Sequence, residues 1–379
     1  MRKYGIKTCV AALLFCVLIS GDLPARAPGH LALAVRNARA CEADGASWLA
    51  NSQRQAGGIT AEAGKKESIR IQDATGRIVE VRLPVKKLVV LTSDALEVIR
   101  ALKAEDLVVG INTGIAKEPL FWPGLKDKPA VGSWRGPNYE LIVELNPDIV
   151  IGYARHPGQD MEKKLVPLGI TVIRLDFYKM RSMVKEIEIL GRILGKEQEA
   201  RQLICWYQEK LNLVERESMP LRNRPDVYVE SYSKYHTAGP GSGGHEMCVL
   251  AGGDNIASDS SIPYPEITPE WVLAKNPHII VKAAALSNCY TMYDPGFLKT
   301  VRDKIMARPA WDNIRAVQDG KVYVMASDIW TGPRAIVGIS YMAKWFHPEV
   351  FNFLDPEKLH REYLEKFQGI KYQGVYVYP

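Results

Sequence analysis

The sequence predicts an α/β protein with two parallel-sheet lobes, joined by one long inter-lobe helix, with a ligand cleft between the lobes. The main observation is a repeat: NYELIVELNPDIVIG (138–152) returns as PEWVLAKNPHIIVK (269–282), so that Glu270 follows Glu140 by 130 residues. Each copy reads as a short helix, a break at Asn-Pro and a buried strand of β-branched residues. Two copies of one unit indicate two similar lobes, and two lobes indicate a cleft between them.

The first lobe is predicted over residues 68–180, where strands and helices alternate. It begins with a hairpin, because SIRIQDATGRIVEVRL alternates apolar and polar residues on both sides of a Thr-Gly turn. A helix over 94–102 is expected to be capped by Ser93 or Asp94. Outside the repeat, further strands are predicted at 88–91, 107–111 and 172–175.

Residues 181–219 are predicted to form the inter-lobe helical region. Its apolar residues recur at spacings of three and four, which is the pattern of one helix face: Ala200, Leu203, Ile204, Tyr207, Leu211 and Val214. One long helix between two lobes would act as a stiff brace. The second lobe then covers 220–346, and a C-terminal appendix of one helix and an extended aromatic tail covers 347–379.

The N-terminal residues have the pattern of a signal peptide over 1–27, followed by a flexible tether over 28–67. A basic start precedes an uncharged apolar run that is too short to span a membrane comfortably, and Ala25-Arg26-Ala27 suits a signal peptidase. Export to the periplasm or another extracytoplasmic compartment is therefore predicted. A second such site precedes Cys41 but lacks the Leu expected before a lipid-modified cysteine, so membrane anchoring stays open.

Charge and cysteine content exclude some functions. The formal net charge of +6 would fall to about +3 after loss of residues 1–27, which is too small and too dispersed to indicate nucleic-acid binding. The cysteines that remain after cleavage contain no CxxC pair, so a structural metal site is not predicted. An oxidising compartment permits one disulfide, whose pairing the sequence leaves open.

Four segments in order resemble one known family, the helical-backbone substrate-binding proteins of ABC importers, which capture ferric siderophores, haem and cobalamin. The matching segments are VGSWRGPNYELIVELNPDIVIGY, MCVLAGGDNIA, SIPYPEITPEWVLAKNPHIIV and DIWTGPRAIVGI. The resemblance covers roughly residues 70–346, and four ordered matches are more specific than any single motif. The tether and the appendix depart from the cobalamin-binding members.

This resemblance implies a substrate-binding protein that delivers a metal chelate to an ABC permease with its cytoplasmic ATPase. An iron(III) siderophore is the expected ligand, with a cobalamin or other corrinoid as the alternative and haem third. Glu140 and Glu270 match the family's two permease-docking glutamates, one in each lobe. The competing interpretation is that both are first-turn glutamates, which the helix dipole favours.

Candidate ligand contacts follow the predicted strands, because loops at the carboxyl ends of parallel strands carry ligands in open α/β sheets. They combine aromatic rings, which give area at low entropic cost, with guanidinium groups that bind paired oxygens. Trp134 and Tyr153 also match positions of ligand-contacting aromatics in the family. The candidates are Trp134, Arg135, Tyr153, Arg155, Tyr178, Tyr232, His236, Tyr264, Trp330 and Arg334.

The three arginines in this set are expected to neutralise an anionic chelate, with Arg334 favoured most, although each also fits a solvated surface charge. A lone aromatic residue after a strand equally fits packing within a lobe. The histidines at 156, 236 and 245 lie in different loops without metal-ligand spacing, so neither direct metal coordination nor a resident cofactor is expected.

An enzyme is not predicted, because the chain contains no GxSxG, no HExxH and no Ser/His/Asp set with recognisable spacing. The glycine run at 239–244 lacks the Lys-Ser/Thr of a phosphate loop, which disfavours nucleotide binding. A cell-surface adhesion or structural module with the same lobes remains the rival class. Permease and ATPase genes beside this one would favour transport over such a module, and tight binding of a ligand without turnover would exclude an enzyme.

Overall fold

A computed structural model describes residues 67–286 and 288–379 of the chain. The predicted signal peptide and all but the last residue of the predicted tether lie outside these residues. Within the described part, no helix combines the length and the apolar character needed to cross a membrane.

The first lobe contains an antiparallel hairpin and a sheet of four parallel strands. The hairpin joins β1 (Ser68–Gln72) to β2 (Ile78–Arg82), as predicted. The parallel sheet has the order β4-β3-β5-β6, with strands β3 (Leu88–Val90), β4 (Val108–Ile111), β5 (Ile149–Gly152) and β6 (Thr171–Arg174). Its helices are α1 (Ser93–Ala101), α2 (Thr113–Ala116), α3 (Tyr139–Leu145) and α4 (Asp160–Leu165). The expected capping of α1 by Ser93 or Asp94 is wrong, since Thr92 takes that position without a side-chain hydrogen bond.

Two helices rather than one connect the lobes, which corrects the predicted single inter-lobe helix. They are α5 (Met180–Leu194) and α6 (Glu197–Ser218), and they part at Gly195, whose φ is +63°. A left-handed residue ends a helix, and glycine adopts that conformation without steric cost. The predicted apolar stripe belongs to α6 alone, where Leu203, Tyr207 and Val214 are buried.

The second lobe contains five strands, four of them parallel, in the order β11-β10-β9-β7-β8. These are β7 (Asp226–Glu230), β8 (Asp254–Asn255), β9 (Ile279–Ala284), β10 (Val322–Ala326) and β11 (Val377–Tyr378). Its helices are α7 (Gly243–Leu250), α8 (Pro269–Lys275), α9 (Gly296–Met306), α10 (Arg315–Gln318) and α11 (Ala335–Phe346). The antiparallel strand β11 comes from the C-terminal appendix and completes one edge of this sheet.

The sequence repeat has the same backbone in both lobes. Helices α3 and α8 each contain seven residues. A side chain caps each start, since Asn138 accepts from the amide of Leu141, and Thr268 does so from that of Trp271. Each helix ends at a left-handed asparagine, and a buried strand follows the next two residues. This confirms the predicted helix–break–strand unit.

The appendix packs into the body of the protein. Its helix, α12 (Pro356–Phe367), lies against α6, where the Trp206 ring contacts Tyr363 and Phe367 at centroid distances of 5.6 and 5.3 Å. Gln368 reaches the first lobe, where its side-chain oxygen accepts a 2.7 Å hydrogen bond from Arg100. The appendix therefore contacts the inter-lobe helix, the first lobe and the second sheet at once.

Candidate ligand-binding cleft

Residues that follow strands of the first sheet contact residues that follow strands of the second sheet at several places, and two of these contacts lie beside the candidate ligand residues. Glu246 of α7 accepts a 2.9 Å hydrogen bond from the backbone amide of Met180. At the other place Gly332 lies against Asp94, so that a Cβ at Gly332 would be 3.0 Å from the Asp94 carboxylate. Side chains that follow the strands of both lobes therefore meet around one cleft.

Three aromatic side chains form a continuous wall on the first-lobe side of the cleft, and this wall consists of Trp134, Tyr153 and Tyr178. Their rings meet edge to face, at centroid distances of 5.6 Å for Trp134–Tyr153 and 5.5 Å for Tyr153–Tyr178. All three are half-buried, and the ring of His156 contacts Trp134 at 5.1 Å. The sequence predicted these three residues separately, and the fold brings them together.

The loop that carries Trp134 is fixed by a tight turn. Gly132 has φ +93°, and a Cβ there would lie 2.7 Å from the carbonyl oxygen of Gly136. Only glycine fits such a position without strain. The hydroxyl of Ser133 also accepts a 3.0 Å hydrogen bond from the amide of Gly136. The exposed guanidinium of Arg135 then lies over the Trp134 ring, 4.4 Å from its centroid.

Asp94, which the sequence analysis considered only as a helix cap, lies behind the aromatic wall. The hydroxyl of Tyr153 donates a 2.7 Å hydrogen bond to its carboxylate. Burial raises the pKa of Asp94 to about 6, and the charge of Glu97 adds to this effect, while Tyr153 and Arg334 oppose it. Burial and the Asp94 charge together raise the pKa of Tyr153 well above its ordinary value, so the phenol keeps its proton.

A second aspartate holds the next part of the wall. Asp176, which is buried, accepts hydrogen bonds from the amide of Ala154 at 2.9 Å and from Lys179 at 2.7 Å. The hydroxyl of Tyr178 lies 3.4 Å from the same carboxylate. Asp176 therefore joins the ends of β5 and β6, and its charge is already matched by Lys179. Arg155, between these two strands, is exposed.

The second-lobe side of the cleft carries Tyr232 and Tyr264, which are 42% and 46% exposed and remain accessible to a ligand. Tyr232 is close enough to Asp94 for that charge, after burial, to raise its pKa. The backbone around Tyr232 is fixed from below, because the ammonium group of Lys282 donates to the carbonyls of Ser231 and Tyr232. His236 is half-buried in the same loop, where its ring lies 3.1 Å from the carbonyl oxygen of Lys234.

Lys282 is held by a buried ion cluster. The carboxylate of Glu230 accepts two hydrogen bonds from Arg308, at 2.7 and 2.8 Å, and lies 3.1 Å from the ammonium group of Lys282. Its side chain is fully buried, so these cations compensate a charge that water does not reach. The cluster therefore supports the cleft loop from inside the second lobe.

Arg334 does not have the geometry that the sequence analysis expected of it. It is 6% exposed and makes a bidentate ion pair with Glu97 of α1, with a shortest distance of 2.8 Å. Burial works against its charge, but Glu97 and Asp328 outweigh that effect and hold its pKa above the ordinary value. Arg334 is therefore engaged in an internal ion pair between the lobes, and its role as a ligand cation stays a prediction. Trp330 is also buried, and it packs under Gly244.

Glu140 and Glu270 are exposed in the first turns of α3 and α8. Among the described residues, no group of three or more His, Cys, Asp or Glu side chains is arranged to hold a metal ion. Cys248 and Cys289 are buried thiols outside any disulfide, and Cys41 lies outside the described residues.

The site that results has half-buried aromatic rings on one side, accessible tyrosines on the other and buried carboxyls at its base. A model of the periplasmic binding protein family matches residues 88–329, which is more than half of the chain. The chain belongs to the periplasmic binding protein family. As a member it is a substrate-binding protein of an ABC transporter, which implies a small-molecule ligand, a permease with its ATPase and a place outside the cytoplasm.

Individual relatives are identical to this chain at about a quarter of the aligned residues. An uncharacterised ABC transporter substrate-binding lipoprotein of Bacillus subtilis is 25% identical over 292 residues, which covers 75% of this chain and 87% of the relative. A vitamin B12-binding protein of Salmonella typhi is 25% identical over 170 residues, so this chain spans only 64% of that relative. The crystal structure of the TroA-like periplasmic binding protein FepB from Veillonella parvula superposes with a TM-score of 0.70 at 25% identity, covering 82% of this chain and 99% of that one.

Proposed function

We propose that this binding protein captures a metal chelate of the ferric-siderophore type in the cleft and delivers it to the permease. The observation that carries the proposal is the aromatic wall of Trp134, Tyr153 and Tyr178, in which the half-buried ring of Tyr153 contacts the rings of the other two. A preformed aromatic surface suits a large chelate, because the rings lose little entropy when the ligand covers them. Exposed Arg135 and Arg155 add positive charge at its edge.

A corrinoid is the second candidate, and one observation favours it specifically. The internal ion pair of Arg334 with Glu97 removes one of three cations that an anionic chelate was expected to use. A largely uncharged corrinoid needs fewer cations, and the Salmonella typhi relative carries the name of a vitamin B12-binding protein. Haem, with two carboxylates, is the third candidate.

Delivery is proposed to use Glu140 and Glu270 as docking residues for the permease. Both are exposed, and both occupy the second position of a seven-residue helix that is capped and ended in the same way. A pair of carboxylates in such equivalent settings suits bidentate pairing with arginines of a two-fold symmetric partner.

The proposal is tested by purifying the protein natively from its own host and recording the absorption spectrum, with mass spectrometry of whatever co-purifies. A ferric siderophore shows a charge-transfer band, a corrinoid shows its own visible bands, and haem shows a Soret band. A co-purifying metal chelate of any of these types supports the function. Recovery of a sugar, a peptide or a bare metal ion as the stoichiometric ligand would contradict it.

A further inference from the structure

One buried carboxyl, that of Asp94, lies at the base of the cleft in the first turn of α1. Asp94 is 4% exposed, lies where the two lobes touch and makes no ion pair within 4.0 Å among the described residues, whereas the other buried aspartate of the cleft, Asp176, is paired with Lys179. Its closest polar contact is the Tyr153 hydroxyl at 2.7 Å. Burying a carboxyl without a cation lowers the stability of the fold. We therefore expect Asp94 to contribute to ligand binding rather than to stability.

The hydrogen bond from Tyr153 to Asp94 fixes the direction in which the phenol proton of Tyr153 points. A phenol has one O–H to donate and oxygen lone pairs to accept. Because the Tyr153 proton is committed to the Asp94 carboxylate, the oxygen offers only lone pairs to a ligand that covers the aromatic wall. Tyr178 is similarly placed, with its hydroxyl 3.4 Å from Asp176. Both phenols therefore tend to act as acceptors.

The second-lobe side of the cleft differs from the aromatic wall in its hydrogen-bonding character. Burial raises the pKa of Tyr264, and a backbone hydrogen bond from Gly243, the first residue of α7, opposes that rise. A hydrogen bond lowers the pKa of a phenol when it is donated to the phenol oxygen, so the proton of Tyr264 stays available to a ligand. The two sides of the cleft therefore present opposite hydrogen-bonding character, with acceptors on the first lobe and a donor on the second.

We propose that Asp94 is a positioning residue that fixes Tyr153 as a hydrogen-bond acceptor, so that the first-lobe wall selects chelates whose surface carries N–H or O–H donors. This inference rests on the proposed function and narrows its ligand class. It predicts that an amide-rich or ammonium-bearing chelate is preferred over one whose exterior offers only carboxylate or catecholate oxygens. Phenolate coordination of the metal by Tyr153 is disfavoured by the same arrangement, because the neighbouring carboxylate opposes loss of the proton.

The preference is also expected to depend on pH. The titratable or charged groups that face Asp94 are Glu97 on its own helix, Arg334 before α11, Tyr153 after β5 and Tyr232 after β7. In this environment the pKa of Asp94 is about 6. Below that pH its carboxyl becomes a donor to the Tyr153 oxygen, and the phenol proton turns toward the ligand. Donor-bearing chelates should then bind less well.

The test compares four probes by equilibrium dialysis against the full-length protein. Cyanocobalamin and ferrioxamine B carry amide or ammonium donors, whereas haemin and ferric enterobactin present mainly carboxylate or catecholate acceptors. The variants are Asp94→Asn and Tyr153→Phe, and Tyr264→Phe is the matched control because it removes the same hydroxyl from the other wall. We expect a donor-bearing probe to bind most tightly and both first-lobe variants to reduce its preference over the acceptor probes about tenfold. Tyr264→Phe, which removes a donor, should instead increase that preference.

A second measurement separates positioning from a merely structural role. The affinity of wild type for its best donor-bearing probe should fall as the pH is lowered through about 6, and this inflection should disappear in Asp94→Asn, although His156 still titrates. Tightest binding of haemin or ferric enterobactin, or an equal loss for all four probes in the variants, would overturn the inference alone. If no probe bound at about 100 µM, the proposed function would fail together with the inference.

Discussion

The carboxylate of Asp94 is expected to lower the free energy of unfolding near neutral pH. Its pKa is about 6 in the folded protein, above the ordinary value of 3.8. The unfolded chain loses this proton first, so stability falls as the pH rises from about 4 to about 6 and stays reduced above that range. The cost, at 1.4 kcal/mol for each pKa unit, is on the order of 3 kcal/mol.

Asp94→Asn is therefore expected to raise the free energy of unfolding at about pH 8 by up to about 3 kcal/mol, and to change it little at about pH 3.5. Urea unfolding at the two pH values measures this difference. A variant that is more stable but binds its ligand less well is the signature of a residue kept for function. Equal or lower stability of Asp94→Asn at the higher pH would show that the buried carboxylate is satisfied after all.

Arg334 is expected to act on stability rather than on ligand affinity. Arg334→Met leaves the Glu97 carboxylate buried without its cation, which typically costs about 3–5 kcal/mol. The double variant Glu97→Gln/Arg334→Met should recover part of this loss, because the carboxylate and its cation are then removed together. Chemical unfolding of the three variants checks the prediction. If Arg334→Met were as stable as wild type but failed to bind the chelate, the earlier interpretation of Arg334 as a ligand cation would be restored.

At the scale of elements, the repeat was readable from sequence because its signals are local. Capping side chains, the Asn-Pro break and the β-branched strand all lie within fifteen residues, and both copies fold as predicted. The inter-lobe region was harder to predict from the sequence. Gly195 separates two helices whose apolar periodicity alone suggested one, since α5 and α6 are both amphipathic and follow each other with a gap of two residues.

Docking by α3 and α8 is tested by reversing one charge on each helix. Glu140→Lys/Glu270→Lys should leave the affinity for the chelate intact while import in cells collapses, because cations would meet the permease arginines. Each single reversal should cause a partial loss. Import of the chelate by a strain that depends on it, set against the affinity of the purified variants, is the measurement.

Glu144→Lys is the matched control, since Glu144 is also exposed on α3 but lies one turn away from Glu140. If the glutamates only complement the helix dipole, the double reversal should cost about 0.3–1 kcal/mol of stability for each helix and leave import normal. Normal import by a folded double variant would remove the docking role.

At the scale of the whole molecule, the lobes are held together by contacts between residues that are far apart in sequence. Arg334 pairs with Glu97, and both Tyr363 and Gln368 of the appendix region also hydrogen-bond Glu97. The sequence predicted the aromatic residues around the cleft, because each directly follows or precedes a strand or helix of recognisable pattern. It did not reveal the partners Asp94 and Glu97, because these pairings exist only once two lobes have packed.

Such an interface, together with α6 and the appendix, is expected to allow only a small closure when the chelate binds. Flexible hinge proteins instead connect their lobes by loops that absorb large changes in backbone angles. Small-angle scattering of the protein with and without its chelate should give nearly superimposable profiles. A clear drop in the radius of gyration on binding would contradict a braced molecule.

The aromatic wall is proposed to capture the chelate, and Trp134 is its most accessible test. The dissociation constant of the co-purifying chelate is measured by equilibrium dialysis for wild type, Trp134→Ala and Trp271→Ala. Trp271 lies on α8, outside the aromatic wall, and serves as the control for loss of a half-buried indole. We expect Trp134→Ala to bind the chelate at least about tenfold more weakly than wild type, and Trp271→Ala to stay within about twofold of wild type. Unchanged affinity in Trp134→Ala would contradict capture by the aromatic wall.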